Sequence, residues 1–219
     1  MNTNTGSNQV RRWLFAASAA VIGLTGVSLS SAWDDDHHRM TLHSATFTDG
    51  GTLPLSMINN MPGANGQNSC TASGAAGGNE SPQLTWRHAP HETRSFVVIA
   101  YDVVAQFTHW AMYNIPADTT SLPQNAGTAG SVYGVQNGND FGYPGYGGPC
   151  PPPTSKPFSH EYRFTVYALD RFLPIVPTFG DFTPAFPEGI YQELIEASRG
   201  GHVLASATIS GHFSAVAGD

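Results

Sequence analysis

A glycine- and proline-rich stretch with interspersed aromatic residues runs from Asn137 to Tyr162 and ends in a His-x-Tyr sequence. Glycines at positions 142, 145, 147 and 148 allow backbone conformations that other residues rarely adopt. Prolines at positions 149, 151, 152 and 153 fix φ and remove N–H donors. The stretch therefore predicts a stiff loop, and loops held beside strands often carry binding sites.

The residues after this loop alternate with the period of a β-strand. In HEYRFTVYAL (160–169), His160, Tyr162, Phe164 and Val166 share one face. The imidazole and the phenol at the start of this strand are therefore expected to point in the same direction.

Two earlier runs also indicate strands. SFVVIAYD (95–102) is typical of a buried strand and ends at Asp102, while HWAMYNIP (109–116) indicates a strand that begins at His109. If these strand ends converge beside the glycine/proline loop, the carboxylate, two imidazoles and the phenol line one small pocket.

Six ordered blocks of the chain resemble the phosphatidylethanolamine-binding protein family, in particular its bacterial, Raf-kinase-inhibitor-like branch. The blocks are SPQLTW (81–86), YD (101–102), HWAMYNIP (109–116), GNDFGYPGYGGPCPP (138–152), HEYRFTVYALD (160–170) and GHVLASATISGHF (201–213). The resemblance implies a mainly β fold, a sandwich of two antiparallel sheets with short flanking helices. It also implies a small anion pocket suited to phosphate-bearing headgroups.

The resemblance assigns nine residues to ligand binding: Asp102, His109, Gly148, Pro149, Cys150, Pro151, Pro152, His160 and Tyr162. One signature differs, because the family's Asp-Pro-Asp-x-Pro is replaced by Asp102-Val103-Val104-Ala105-Gln106. A second aspartate and two prolines are therefore missing.

The N-terminus has the pattern of a signal peptide. Arg11 and Arg12 precede an apolar, uncharged run from Trp13 to Val27, and Ser30-Ser31-Ala32 follows, which predicts cleavage after Ala32. The run of ~15 residues is short for a membrane span, which needs ~20. An uncleaved anchor is the alternative.

These features predict a signal peptide over 1–32, a flexible acidic and histidine-rich leader over 33–42, and one domain over 43–219, in a periplasmic or secreted protein without a transmembrane segment. The net charge of −7 becomes −9 without residues 1–32, which hold two arginines and no acid. Such a charge argues against nucleic-acid partners and against anionic membrane surfaces.

Cys70 and Cys150 are the only cysteines, and in an exported chain they predict one disulfide. The alternative, two thiols with a metal or redox role, lacks a C-x-x-C spacing. The run Asp34-Asp35-Asp36-His37-His38 could chelate a metal, but a charge run in a leader is usually solvated. We therefore predict no metal and no cofactor.

The segment PEGIYQELIEAS (187–198) predicts an amphipathic helix with Ile190, Leu194 and Ile195 on its buried side, stopped by Gly200-Gly201. Its expected role is to cover a sheet. No G-x-S-x-G elbow or Walker loop occurs in the sequence, so we predict no catalytic residue.

The favoured function is binding of a small anionic or phosphorylated ligand, with His109 and His160 donating hydrogen bonds and Asp102 orienting an imidazole or an amine. A structural role is the alternative, because the function of a buried histidine bonded to Asp102 could be simply to organise a loop.

A second function is a protein-interaction module that inhibits a kinase or protease, with Phe141, Tyr143 and Tyr146 as its exposed contact surface. A third is hydrolysis, for which the motifs place no nucleophile. The sequence does not predict the oligomeric state.

Overall fold

Nine strands form two sheets in the described part of the computed structural model, which covers residues 39–154, 156–174 and 188–216. In chain order the strands are β1 (Thr41–His43), β2 (Gly51–Thr52), β3 (Leu84–Arg87), β4 (Ser95–Asp102), β5 (Phe107–Pro116), β6 (Ser121–Leu122), β7 (Val135–Gln136), β8 (Ser159–Leu169) and β9 (Val203–Ser214). The predicted signal peptide and leader residues 33–38 lie outside the described residues.

The larger sheet has the strand order β2-β9-β8-β4-β5-β7, and the smaller one has the order β1-β3-β6. Neighbouring strands run antiparallel except β2 and β9, which pair in parallel. The predicted mainly β fold with two sheets is therefore confirmed, with one short parallel pair added at an edge.

Strand β4 is buried on both faces, which explains its unbroken apolar sequence. Phe96, Val98 and Ala100 belong to a core that also contains residues of the smaller sheet. Val97 and Ile99 belong to a second core on the opposite face. The predicted buried strand is therefore the layer that separates the two cores.

The second core is covered by helix α1 (Glu188–Arg199), as predicted from its apolar spacing. Ile190 and Leu194 are buried there, and Ala197 completes the stripe. Ile195, which the sequence placed on the buried side, is 49% exposed. Ile190, Leu194 and Ala197 lie at positions i, i+4 and i+7 and share one face of the helix. Ile195 lies at i+5, and its side chain therefore points away from that face.

Two short 3-10 turns, Leu55–Met57 and Ala64–Gly66, complete the helical segments of the described residues. None of the described helices is long and apolar enough to cross a membrane.

The folded domain begins earlier than the sequence predicted. Met40 and Leu42 are buried in the core between the sheets, and β1 starts at Thr41. Residues 40–42, assigned above to the leader, therefore belong to the domain because Leu42 pairs with Trp86 of β3.

Candidate ligand-binding site

Asp102 is the last residue of strand β4, and its carboxylate bonds both to the turn that follows and to His160 of strand β8. Its Oδ1 accepts hydrogen bonds from the backbone N–H groups of Val104 and Ala105, each at 2.9 Å, and so closes the turn into β5. Its Oδ2 lies 2.6 Å from Nδ1 of His160. The two side chains are 3% and 5% exposed, so the pair is removed from solvent.

Strand β8 delivers His160 and Tyr162 to this point. Tyr162 pairs with Asp102 across the sheet, so the two side chains share a face, and His160 lies two residues before it on the same face. The Tyr162 ring packs against both imidazoles, with centroids 5.2 Å from His109 and 6.4 Å from His160. The shared direction predicted for His160 and Tyr162 is therefore present.

His109 reaches the same place through an irregularity in strand pairing. Ala100 pairs with Trp110 and Tyr101 pairs with Thr108, which leaves His109 as an extra residue in β5. An extra residue of this kind bends the strand and re-aims a side chain. The strand also starts at Phe107, two residues earlier than predicted.

The hydrogen bonds of His109 determine its chemistry. Its Nδ1 lies 2.6 Å from the carbonyl oxygen of Gly147, which can only accept, so Nδ1 carries the proton. Burial lowers the pKa of His109 to about 4, although the carbonyls of Gly147 and Gly148 and the charge of Asp102 act in the other direction. At neutral pH the ring is uncharged, and its Nε2 is an acceptor instead of the donor that the sequence suggested.

Tyr162 stays a neutral phenol in this setting. Burial raises its pKa well above the usual value, and the nearby Asp102 carboxylate adds to the rise. Its hydroxyl is buried and makes no hydrogen bond of ordinary geometry within the described residues.

The glycine/proline loop is anchored by its own backbone and side chains. The N–H of Gly148 donates to Oδ1 of Asn79 at 2.7 Å, and the carbonyl of Pro149 accepts from the N–H of Asn59 at 3.1 Å. The hydroxyl of Tyr146 donates to the carbonyl of Met57 at 3.0 Å. These bonds support the prediction of a loop with a single backbone shape.

A disulfide joins Cys70 to Cys150, as predicted, with an S–S distance of 2.06 Å. It ties the loop to a distant segment of the chain, because 80 residues separate the two cysteines. Cys150 itself lines a small cavity beside the loop.

A cavity of about 170 Å³ opens beside the Asp102–His160 pair. It is lined by Asp102, Ala105, Phe107, His109, Phe141, Cys150, Pro151, Pro152 and His160. Six of the nine predicted ligand-binding residues are among these.

The other three predicted residues support the cavity without lining it. Tyr162 packs under the imidazoles, and Gly148 and Pro149 fix the loop. Sequence reasoning missed Ala105 and Phe107 as lining residues, and it assigned Phe141 only to the alternative protein-contact surface. Phe107 could have been proposed from the sequence, because it lies only two residues before His109 in the same strand.

Apolar side chains form most of the cavity wall. Phe107 packs edge-on against Phe141 with centroids 4.6 Å apart, and Phe141 stacks on Tyr143 at 5.9 Å. Tyr146, predicted as part of an exposed contact surface, is instead only 5% exposed because its hydroxyl is bound inside the domain. The predicted surface is thus reduced to Phe141 and Tyr143.

A larger cavity of about 720 Å³ lies on the other side of the main sheet, beside Tyr101, Tyr167 and Tyr191. Its described lining contains no carboxylate and no imidazole. The smaller cavity is the better candidate site because the buried titratable groups converge there. Within the described ranges, no group of three or more His, Cys, Asp or Glu could hold a metal.

Comparison with known proteins identifies the family of this chain. The family model described as phosphatidylethanolamine-binding protein matches residues 43–214. The chain therefore belongs to the phosphatidylethanolamine-binding protein family.

The relatives come from bacteria and archaea, and two of them are proteins of Escherichia coli. UPF0098 protein YbhB of Escherichia coli (strain K12) is 36% identical over 182 residues, which cover 80% of this chain and 100% of that protein. UPF0098 protein YbcL of the same strain is 48% identical over 104 residues, which cover 44% of this chain and 56% of that protein. The alignment thus spans little more than half the length of YbcL.

A solved structure shows the same fold. The crystal structure of Escherichia coli YbcL, described as a new member of the mammalian PEBP family, superposes with a TM-score of 0.61 at 31% identity. The superposition covers 80% of this chain and 98% of that one.

Proposed function

We propose that this chain is an exported small-ligand binding protein whose pocket takes a phosphate-bearing or similarly anionic headgroup. The observation that carries the proposal is the buried Asp102–His160 pair, which opens on a small cavity with apolar walls. A concave, mostly apolar site with a few convergent polar groups is the usual form of a small-molecule site. The description of the family names a phospholipid, which agrees with a headgroup ligand.

His160 supplies the favourable contact for an anion. Nδ1 of His160 is bonded to Asp102 and the residue lines the cavity, so Nε2 is the nitrogen that can donate to a ligand when it carries a proton. The apolar walls of Phe107, Pro151 and Pro152 exclude water and strengthen the hydrogen bond.

Calorimetric titration of phosphoethanolamine at pH 5.5 tests this proposal. His160→Asn keeps a donor for Asp102 but removes Nε2, and loss of one charge-assisted hydrogen bond costs ~1.5–3 kcal/mol, a tenfold or larger loss of affinity. His91→Asn is the matched control, because His91 is 94% exposed and lies outside the cavity. Equal binding by wild type and His160→Asn would leave His160 a structural residue.

A protein-interaction module that inhibits a kinase or protease is the second candidate, favoured by the partly exposed aromatic pair Phe141 and Tyr143 at the cavity. Hydrolysis has less support. The described cavity lining offers no hydroxyl or free thiol as a nucleophile, since Cys150 is held in the disulfide.

Export is proposed on two grounds. The Arg-apolar-Ser-Ser-Ala pattern at the N-terminus is typical of a signal peptide that is cleaved after Ala32. A disulfide persists in oxidising compartments, so the Cys70–Cys150 bond fits a periplasmic or secreted protein.

A further inference from the structure

The larger cavity lies on the outer face of the main sheet, the face that carries helix α1. Tyr101 lines it, while Asp102, the next residue of β4, lines the smaller cavity, because neighbouring side chains of a strand point to opposite faces. The two cavities share no lining residue within the described ranges. A ligand in the larger cavity would therefore occupy a separate site.

Three tyrosines from three different elements surround this cavity: Tyr101 of β4, Tyr167 of β8 and Tyr191 of α1. All three are partly exposed. The rings of Tyr101 and Tyr191 meet edge to face with centroids 6.5 Å apart, and the Tyr191 hydroxyl lies 3.0 Å from Oγ1 of Thr108 in β5. These contacts hold two of the rings in place before a ligand arrives, which lowers the cost of binding.

The strand residues between the rings carry hydroxyl groups. Thr165 of β8 and Ser206 and Thr208 of β9 line the cavity. Thr165 and Thr208 face each other across the two strands, with their Oγ1 atoms 2.8 Å apart. A hydroxyl both donates and accepts hydrogen bonds, so these side chains match a ligand whose own polar groups do both.

The charge of the lining favours an uncharged ligand. Arg163 is the one charged residue of the described lining, and its Nε donates to Oε1 of Glu161 at 2.7 Å. Burial raises the pKa of Tyr191 to about 12 and also raises that of Tyr167, so both phenols are neutral. Neither an anion nor a cation would meet an unpaired opposite charge in this lining. The terminal N–H groups of Arg163 can still donate to neutral oxygens.

We propose that this cavity binds an uncharged oligosaccharide, with sugar rings stacked on Tyr101 and Tyr167 and sugar hydroxyls bonded to the threonine pair and Arg163. A sugar ring has apolar C–H faces and a rim of hydroxyls, which are complementary to phenol rings and threonine hydroxyls. The cavity volume of about 720 Å³ lies within the range of roughly 300–1,000 Å³ for small-molecule sites. The inference does not depend on the proposed function.

Titration with cellotriose and chitotriose, followed by calorimetry and by amide chemical shifts, tests the inference. Sorbitol is the control ligand, because it has hydroxyls but no ring face. We expect at least one trisaccharide to bind wild type and to shift the amide signals around Tyr167 and Thr208, and sorbitol to do neither. Binding of neither trisaccharide, or shifts confined to the smaller cavity, would overturn the inference.

Three variants distinguish ring stacking from hydrogen bonding. Tyr167→Ala removes a ring and should lower affinity for the trisaccharide about three- to tenfold. Tyr167→Phe keeps the ring and should lose less than Tyr167→Ala. Thr208→Val removes a hydroxyl at nearly constant shape and should lower affinity about two- to tenfold. Unchanged affinity in Tyr167→Ala would overturn the inference.

Phe172→Ala is the matched control, because Phe172 is an aromatic residue that is 55% exposed and lies outside the described lining. We expect it to bind the trisaccharide as wild type does. A loss as large as that in Tyr167→Ala would indicate adhesion of sugars to any exposed ring and would also overturn the inference.

A second copy of the chain is the other occupant that an open sheet face could take. Sedimentation of wild type and Tyr167→Ala tests it, and we expect the same oligomeric state for both. A wild-type dimer that Tyr167→Ala dissociates would assign this face to self-association instead of saccharide binding. None of these results bears on phosphoethanolamine binding, because the two cavities have separate linings.

Discussion

His109 and Gly147 are bonded to each other twice. The ring Nδ1–H of His109 donates to the carbonyl of Gly147 at 2.6 Å, and the N–H of Gly147 donates to the carbonyl of His109 at 2.8 Å. The same residue pair therefore fixes the tautomer of the imidazole and the position of the glycine/proline loop. Several measurable properties depend on this arrangement.

The first prediction concerns stability against pH. The pKa of His109 is lowered to about 4 in the folded protein, against 6.5 when unfolded. Below pH 6.5 the unfolded chain takes up the proton first, so stability is full above about 6.5 and is lost as pH falls towards 4. The loss should approach about 3 kcal/mol. Urea unfolding of wild type and His109→Asn between pH 7.5 and 4 measures it.

The readout is the difference between the two proteins, since carboxylates elsewhere titrate in both. Between pH 7.5 and 4, the unfolding free energy of wild type should fall more steeply with decreasing pH than that of His109→Asn. The difference between the two slopes corresponds to at most one proton. Parallel curves would mean that His109 binds a proton equally well in the folded and unfolded chain.

The second prediction concerns Gly148. An added Cβ would overlap the Met57 carbonyl oxygen and lie 2.7 Å from the Asn59 nitrogen, and backbone atoms of this kind cannot swing aside. Gly148→Ala should therefore cost about 1–3 kcal/mol and weaken ligand binding by moving the loop. Gly130→Ala is the control, because nothing lies within 4 Å of its added Cβ. Equal melting temperatures of Gly148→Ala and Gly130→Ala would contradict the close packing around Gly148.

A third prediction follows from the disulfide. Because 80 residues separate Cys70 from Cys150, the chain-entropy account gives a contribution of ~4–5 kcal/mol through restriction of the unfolded chain. The double variant Cys70→Ala/Cys150→Ala should lose much of this in urea unfolding. A loss below about 1 kcal/mol would show that the unfolded chain is not restricted in this way.

Tyr146 provides the fourth prediction. Tyr146→Phe would leave the buried carbonyl of Met57 without its donor, at a cost of about 1–2 kcal/mol. Tyr143→Phe, at a half-buried position of the same loop, should change stability by less than about 0.5 kcal/mol. Thermal unfolding of both variants measures the two losses of stability. A larger loss in Tyr143→Phe than in Tyr146→Phe would contradict the role given to the Tyr146 hydroxyl.

The fifth prediction is cleavage after Ala32, which N-terminal sequencing of the protein from the periplasm or medium can check. The expected first residue is Trp33. Recovery of soluble exported protein that still begins at Met1 would refute the signal-peptide assignment.

Much of the fold could be predicted because its signals are local. The alternation from His160 to Leu169 sets the faces of β8, and the apolar run from Phe96 to Ala100 indicates burial on both sides. The parallel pairing of β2 with β9 could not be predicted, because strand β2 has two residues, too few for a period. Met40 and Leu42 were misassigned because a short edge strand after a charge run has no clear signal.

The sequence predicted which side chains come together in the candidate site, but not the hydrogen bond that sets the protonation of His109. Spacing and resemblance found the Asp102, His109 and His160 cluster. They could not show that β5 carries an extra residue, or that Gly147 would take the Nδ1 proton of His109, because both depend on pairing between distant segments. The protonation state of a buried imidazole is therefore a property of the tertiary structure.

Strand β8 is hydrogen-bonded along both edges, to β9 over its whole length and to β4 from Tyr162 onward. In deuterium exchange, amides enclosed in this way open only when the whole domain unfolds. The turn from Val103 to Gln106 is held by three hydrogen bonds, from the N–H groups of Val103, Val104 and Ala105, and has no strand on either side, so we expect its amides to exchange sooner than those of β8. If the proposed pocket binds a ligand, we expect its wall on β8 to stay fixed and the turn, which contributes Ala105 to the lining, to be the part that moves.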